Sequence, residues 1–186
     1  MLKCVLVFMK EARYIVAQSI NLLKITIVLT DILIVLFNAL RLWQRSSSLA
    51  VNPVNGFGLF QYLEAFFENG ISYKVYAVAE TKQIKTNSGV ELVADDIIAH
   101  LVGHEDEFDA VVFSCGDAVP VFAQNADKPY NIDLMSVLKA FGEKGKILIG
   151  HCAAGMLFDF AGVTEGKKLA VHPLAKPAIT KGSDRR

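Results

Sequence analysis

A cysteine at the end of an apolar segment is the residue of this sequence whose surroundings best suit covalent chemistry. Cys152 lies in the segment ILIGHCAAG, residues 147–155, between a short apolar run and a series of small residues. This pattern resembles a nucleophile elbow, a tight strand-to-helix turn that needs small neighbours because its central residue is strained. A cysteine there faces a helix N-terminus, whose unpaired N–H groups and dipole favour the thiolate. The pattern predicts a reactive thiol, whereas most free cysteines are inert core residues.

Other candidate residues follow further predicted strands. Gly56 follows the first strand, Cys115 follows the strand AVVFS, and His172 follows the last strand. Because the carboxyl ends of parallel strands meet at one edge of a sheet, we expect these residues to lie near His151 and Cys152. The sequence therefore predicts that a nucleophile-type thiol, a glycine turn and two histidines converge at that edge.

The elements that must position these residues follow from the hydrophobic periodicity. The pattern predicts strands over 49–51, 73–79, 110–114, 147–149 and 168–171. It predicts helices over 59–67, 132–141 and 153–161, closed by Gly70, Gly142 and Gly162, and a short helix that Asp95 caps and that ends at His100. Alternating strands and helices at this spacing indicate the α/β class, with a parallel sheet covered by helices on both faces.

Residues 1–48 differ from the rest of the chain, and we expect the folded domain to span 49–186. The segment 25–40, ITIVLTDILIVLFNAL, is strongly apolar but carries Asp31 near its middle. It is open to four interpretations: a membrane anchor over 25–43, a secretory signal, a strand over 24–30 leading into a helix, or an upstream extension foreign to the fold. The serine-rich stretch 44–48 is expected to be a linker in each case.

Composition excludes several classes of protein. The chain has 186 residues, of which 53% are hydrophobic and 20% charged, so it is long and apolar enough to bury a core. Nineteen basic and nineteen acidic residues cancel, which argues against a nucleic-acid partner. Cys4, Cys115 and Cys152 lack the spacing of metal ligands and cannot form a disulfide scaffold. We therefore expect no metal, free thiols and a cytoplasmic location, with membrane association only if 25–43 is an anchor.

Three segments together resemble the ThiJ/PfpI superfamily, in particular its deglycase-like branch. They are FDAVVFSCG at 108–116, GKILIGHCAAG at 145–155 with AGVTEGKK at 161–168, and VHPLAK at 171–176. The resemblance covers about residues 49–181 and implies a flavodoxin-like fold. It also implies that the domain is C-terminally truncated, because members of the family continue through another strand pair and a closing helix.

The resemblance also implies roles for individual residues. It implies that Cys152 is the reactive cysteine, that the backbone N–H groups of Gly116 and Ala153 bind an oxyanion, and that His172 hydrogen-bonds or shuttles protons. The acid that the family usually places beside the cysteine falls on Gly58 here. The protease-like branches carry a histidine directly after the cysteine, where this chain has Ala153. His151 precedes the cysteine instead, and its side chain is expected to point elsewhere.

Two functions of different classes follow. The first is a cofactor-free glyoxalase, deglycase or cysteine hydrolase that acts on small carbonyl substrates. The second is a non-enzymatic redox or stress-sensing module, in which Cys152 oxidises to a sulfenic acid and Cys115 is a candidate resolving thiol. The alternative, which we favour from the sequence, is that Cys115 only fills the core beside the turn. A membrane-anchored binding protein is a third class if the apolar segment is an anchor. The resemblance also implies that the chain can form a homodimer.

Overall fold

Five parallel strands form the centre of the molecule, whose computed structural model describes residues 5–8, 44–169 and 173–184. In chain order the strands of the main sheet are β1 (Val5–Phe8), β2 (Arg45–Val51), β3 (Ser72–Val78), β6 (Asp96–Ile97), β7 (Ala110–Ser114) and β8 (Ile147–His151). Two small two-stranded sheets consist of β4 (Gln83–Lys85) with β5 (Glu91–Val93), and β9 (Lys168–Leu169) with β10 (Ser183–Asp184).

The order of the strands across the main sheet is β1-β8-β7-β2-β3-β6. The chain therefore adds β3 and β6 on one side of β2 and then returns to add β7 and β8 on the other side. Without the two-residue strand β6, the order of the parallel strands is flavodoxin-like, and it reverses between β2 and β7, at whose carboxyl ends such folds bind ligands. The predicted fold class is confirmed. The edge strand β1, which pairs antiparallel with β8, was not predicted.

Helices cover the sheet on both faces, as predicted. They are α1 (Gly56–Glu68), α2 (Pro129–Glu143) and α3 (Ala154–Phe160), with short 3-10 helices at Ile98–His100, Glu105–Glu107, Phe122–Asn125 and Pro173–Ala178. Alternate residues of β7 pack on opposite faces of the sheet, because successive side chains of a strand point in opposite directions. Val112 belongs to the apolar cluster under α1, whereas Phe113 packs against Phe158 of α3, with 6.5 Å between ring centroids.

Each predicted helix is present, although the boundaries differ. The helix α1 begins at Gly56 because the Asn55 side chain accepts a hydrogen bond from the Gly58 N–H at 3.1 Å. The prediction that Gly142 closes the second helix is wrong, since α2 continues to Glu143 and Gly145 adopts the left-handed conformation at φ +64°. Gly142 serves packing instead, because a Cβ there would collide with Val163.

The linker predicted at 44–48 is also wrong for all but its first residue. The strand β2 begins at Arg45, and Ser46, Ser47 and Ser48 are fully buried at the centre of the sheet. Strands pair with β2 on both sides, so the backbone hydrogen bonds of this segment are satisfied despite its polar composition. The small serine side chains allow the neighbouring elements to pack closely over them.

Asp95 does not cap a helix, contrary to the prediction. Its carboxylate accepts a hydrogen bond from the backbone N–H of Val75 at 2.8 Å, which ties the segment before β6 to β3. The 3-10 helix that follows begins after Ile97 and has no side-chain cap.

Several predictions concern residues outside the described ranges. The strand over 24–30, the apolar segment 25–40 and most of the predicted extension lie there, as does the end of the last predicted strand, 170–171. Within 5–8, 44–169 and 173–184, none of the helices has the length and apolar character needed to cross a membrane.

A buried carboxylate attaches the C-terminal segment to the domain. Asp159 of α3 is fully buried and accepts hydrogen bonds from the Thr164 hydroxyl and from the backbone N–H groups of Thr180, Lys181 and Gly182. Burial by itself raises the pKa of this carboxyl, but the hydrogen bonds outweigh burial and lower the pKa to about 2. The ionised form is therefore the one that the folded state stabilises.

We predict that Asp159→Asn destabilises the fold at neutral pH by about 2 kcal/mol. Because the folded pKa is lowered, the stabilisation is present above the unfolded pKa of about 4 and disappears as pH falls through about 2. Urea denaturation of both proteins should show a gap that narrows toward acid pH. Asp127→Asn, at an exposed position, is the matched control and should have little effect at either pH. A gap between wild type and Asp159→Asn that does not vary with pH would contradict the prediction.

Candidate active site at the Cys152 elbow

Cys152 occupies a strained turn between β8 and α3. Its φ is +58°, and within the described ranges no other residue except glycine has a positive φ. The small neighbours have a packing reason, since a Cβ at Gly150 would lie 2.5 Å from the Ala154 Cβ and 3.0 Å from the Phe158 ring. The turn thus has the geometry expected of a nucleophile elbow, and the Cys152 side chain is partly exposed.

A second thiol, Cys115, lies directly beside Cys152. The strands β7 and β8 pair with Val112 opposite Ile149 and Phe113 opposite Gly150. Extending this register by two residues places Cys115 opposite Cys152. The two side chains hydrogen-bond each other, and neither cysteine is in a disulfide.

The two thiols differ in environment. Cys115 is buried, with 4% of its surface exposed, whereas Cys152 is partly exposed. The hydrogen bond with Cys152, burial and the repulsion of a charge on Cys152 all raise the pKa of the Cys115 thiol far above its ordinary value. Cys115 is therefore a neutral thiol at physiological pH, and Cys152 is the sulfur that solvent can reach.

Backbone N–H groups surround the pair. The N–H groups of Ala153 and Gly116 both face the Cys115 sulfur and partly offset the increase in its pKa. These are the two groups that the family resemblance implies for oxyanion binding, so the structure brings them close together beside Cys152. Their role in binding an oxyanion stays a prediction.

Gly116 is held against the turn that follows β2. A Cβ at Gly116 would collide with the carbonyl oxygen of Pro53 and lie 2.7 Å from the Val54 Cα. The Cys115 carbonyl also accepts a hydrogen bond from the Asn55 N–H at 2.8 Å. The turns after β2 and β7 are therefore locked together at the predicted edge of the sheet.

His151 fills the space beside Gly58. Only 3% of its surface is exposed, and its Nδ1 lies 3.3 Å from the Tyr62 hydroxyl oxygen. A Cβ at Gly58 would lie 2.5 Å from the Nε2 of His151, so α1 can approach the sheet only because residue 58 has no side chain. The His151 side chain thus points toward α1, in the region where an acid at position 58 would lie. Glu64, further along α1, is exposed.

One contact in the site was not predicted from the sequence, and one predicted site residue lies outside the described ranges. The contact of His151 with Tyr62 was not predicted, although the spacing of four residues between Gly58 and Tyr62 places both on one face of α1. His172 lies outside the described residues, and its role stays a prediction. In the part of the chain that the structure describes, no three His, Cys, Asp or Glu side chains are grouped to hold a metal ion.

Strand order and elbow together define a flavodoxin-like α/β protein with a cysteine at the nucleophile position. The sequence profile of the DJ-1/PfpI family matches residues 49–185. The chain therefore belongs to the DJ-1/PfpI family, and the resemblance seen in the sequence is confirmed.

Individual relatives agree with this assignment. Protein ppBat of Bacteroides thetaiotaomicron is 76% identical over 139 residues, which cover 75% of this chain and 79% of that protein. The crystal structure of the "putative protease I" from the same organism is 72% identical, with a TM-score of 0.75, over 76% of this chain and 82% of that chain. Drosophila melanogaster DJ-1beta shares the fold at 18% identity, with a TM-score of 0.63, over 76% of this chain and 73% of that chain.

We predict that Gly58→Ala destabilises the protein by about 1–3 kcal/mol, because its Cβ would overlap the His151 ring. In a His151→Ala background the same substitution should be neutral or stabilising, since alanine favours helix over glycine. Denaturation of the two single variants and the double variant measures the coupling. An equal effect of Gly58→Ala in both backgrounds would refute the overlap with His151.

The strain at the elbow gives a separate prediction. Cys152→Gly should unfold with a free energy about 1 kcal/mol higher than Cys152→Ala, because glycine adopts positive φ without a steric penalty. Chemical denaturation of the two variants makes the comparison, with alanine as the control for loss of the thiol. Equal stabilities would show that residue 152 is not strained.

Proposed function

We propose that this protein is a cofactor-free, cysteine-dependent enzyme that converts small 2-oxoaldehydes, as a glyoxalase or deglycase. The observation that carries the proposal is the position of Cys152, partly exposed on a turn at φ +58° while Cys115 and His151 beside it are buried. A strained, accessible thiol at the carboxyl edge of a parallel sheet matches the location of nucleophiles in α/β enzymes.

The reaction begins with addition of the Cys152 thiolate to the aldehyde carbon. A sulfur–carbon bond forms, and the carbonyl π electrons move to oxygen, which takes up a proton to give a hemithioacetal. The N–H groups of Gly116 and Ala153 lie close together beside this sulfur and are the donors we assign to the developing oxyanion. They now face the Cys115 sulfur, so the substrate oxygen would share or take over these hydrogen bonds.

An aldehyde fits this site better than an amide does. Cleaving an amide requires a group that protonates the departing amine, whereas addition to an aldehyde releases no leaving group. Gly58 supplies no acid, and residue 153 is alanine. The relative described as a "putative protease I" raises hydrolysis as the alternative reaction, and the same chemistry argues against it here. General acid–base assistance is worth roughly 10²–10⁴-fold, so we expect a slow enzyme.

We also propose that the protein works in a reducing compartment. A functional thiol nucleophile requires surroundings in which disulfides do not persist. We therefore retain the cytoplasm as the proposed site of action.

We predict that Cys152→Ser lowers the rate of methylglyoxal consumption by at least about 100-fold, to the rate without protein, since a serine hydroxyl is not ionised at this pH. Lactate formation should fall in parallel. Ser136→Ala, at an exposed position on α2, is the matched control and should retain the full rate. Equal consumption by wild type and Cys152→Ser would overturn the enzymatic proposal.

The contact between Cys115 and Cys152 favours a second candidate function, a redox or stress-sensing module. In that case the accessible thiol is an oxidation site and not a catalyst for carbonyl compounds. Trapping of a sulfenic acid at Cys152 after mild peroxide treatment would support this function, and a Cys152 that peroxide does not oxidise would exclude it.

A further inference from the structure

Two neighbouring thiols at this site have the arrangement of a reversible disulfide pair. We propose that Cys115 and Cys152 form an intramolecular disulfide when a peroxide oxidises Cys152, and that this bond switches the nucleophile off and protects it from irreversible oxidation. The inference rests on the reactive Cys152 of the proposed function but adds a regulatory state to it.

The strand register places the two cysteines within reach of each other. Cys115 and Cys152 each lie two residues beyond the last pair in the register of β7 and β8, Phe113 opposite Gly150. Cys115 belongs to the core cluster against which Cys152 packs. Neighbouring strands lie about 4.8 Å apart, and the Cα atoms of disulfide-bonded cysteines usually lie about 4.4–6.8 Å apart. The two side chains are close enough that Cys152 raises the pKa of the Cys115 thiol. The bond can therefore form with only local adjustment of the backbone.

Exposure determines which sulfur reacts first. Cys152 is partly exposed, whereas Cys115 is 4% exposed and lies behind it. Peroxide therefore reaches Cys152. The high pKa of the Cys115 thiol keeps it protonated and unreactive toward peroxide itself. Cys152 is thus the oxidation site, and Cys115 is the resolving thiol.

The chemistry proceeds in two balanced steps. The Cys152 thiolate attacks a peroxide oxygen, the O–O bond breaks, and the released alkoxide or hydroxide is protonated while sulfur becomes a sulfenic acid. Once Cys152 is a neutral sulfenic acid, the repulsion of its charge no longer raises the pKa of the Cys115 thiol, so Cys115 can lose its proton as its sulfur attacks the Cys152 sulfur. The S–O bond breaks, and the hydroxide leaves as water with the Cys115 proton. The peroxide is the oxidant, and the pair of thiols loses two electrons.

The buried position of Cys115 also determines what the bond does. Its sulfur accepts from the N–H groups of Gly116 and Ala153, the donors assigned to a substrate oxyanion. A disulfide holds both sulfurs at this place and removes the thiolate that would attack a substrate. Oxidation therefore stops the carbonyl chemistry without unfolding the domain, and a dithiol reductant restores it.

The test uses the full chain with Cys4→Ser, so that Cys115 and Cys152 are the remaining thiols. After treatment with about one equivalent of hydrogen peroxide, thiols counted in denaturant should fall from two to none, and reductant should restore both. Peptide mass spectrometry without reduction should show Cys115 linked to Cys152 in monomeric protein. A Cys115 that remains free while Cys152 carries a sulfinic acid would overturn the proposal.

Two variants test whether the disulfide requires a thiol at position 115, beside Cys152, or forms with any nearby thiol. With at least two equivalents of peroxide, Cys115→Ala should carry Cys152 as a sulfinic acid that reductant does not reverse, because the first equivalent gives the sulfenic acid and the second oxidises it further. Ser114→Cys with Cys115→Ala moves the thiol by one residue, to the opposite face of β7, and should behave like Cys115→Ala. A disulfide in that double variant would refute the geometric argument. None of these measurements uses a carbonyl substrate, so the disulfide can be established even if methylglyoxal turnover is absent.

Discussion

The turn at Cys152 depends on a close approach of α3 to β8, and most of the site follows from that contact. Gly150 lets the first turn of α3 lie directly on the strand, because a Cβ there would overlap both Ala154 and Phe158. Because the helix lies so close to the strand, the backbone changes direction sharply at residue 152. This residue adopts the left-handed conformation, at φ +58°. The left-handed conformation is sterically unfavourable for an L-residue, so the packing of α3 against β8 must offset this strain.

Close packing also leaves no room for a side chain at residue 58, the position where the family resemblance implies an acid. His151 lies under α1 and occupies the space next to Gly58, so a carboxylate cannot be added at residue 58 without removing the imidazole. The region therefore contains a buried His151–Tyr62 contact instead of an acid. The neighbour of Cys152 on its other side is the buried thiol of Cys115.

Much of the architecture was predictable because hydrophobic periodicity records which side chains are buried. The all-apolar strand at β7, the stripe on α1 and the turn at Gly70 each indicate an element by composition alone. The errors arose where polar residues are buried. Three serines of β2 look like a linker, yet strands on both sides satisfy their backbone. Asp95 and Gly142 match helix-terminal patterns, but contacts with distant residues determine their roles.

The sequence by itself determined the fold class, the family and the choice of Cys152 as the candidate reactive residue, because these depend on local patterns of apolar and small residues. Only the tertiary structure decided that Cys115 lies opposite Cys152, that His151 occupies the space beside Gly58, and that Asp159 holds the segment at 180–182. Each of these contacts joins residues far apart along the chain, or depends on the direction of one side chain. Strand register and helix packing fix them, and neither can be read from local sequence.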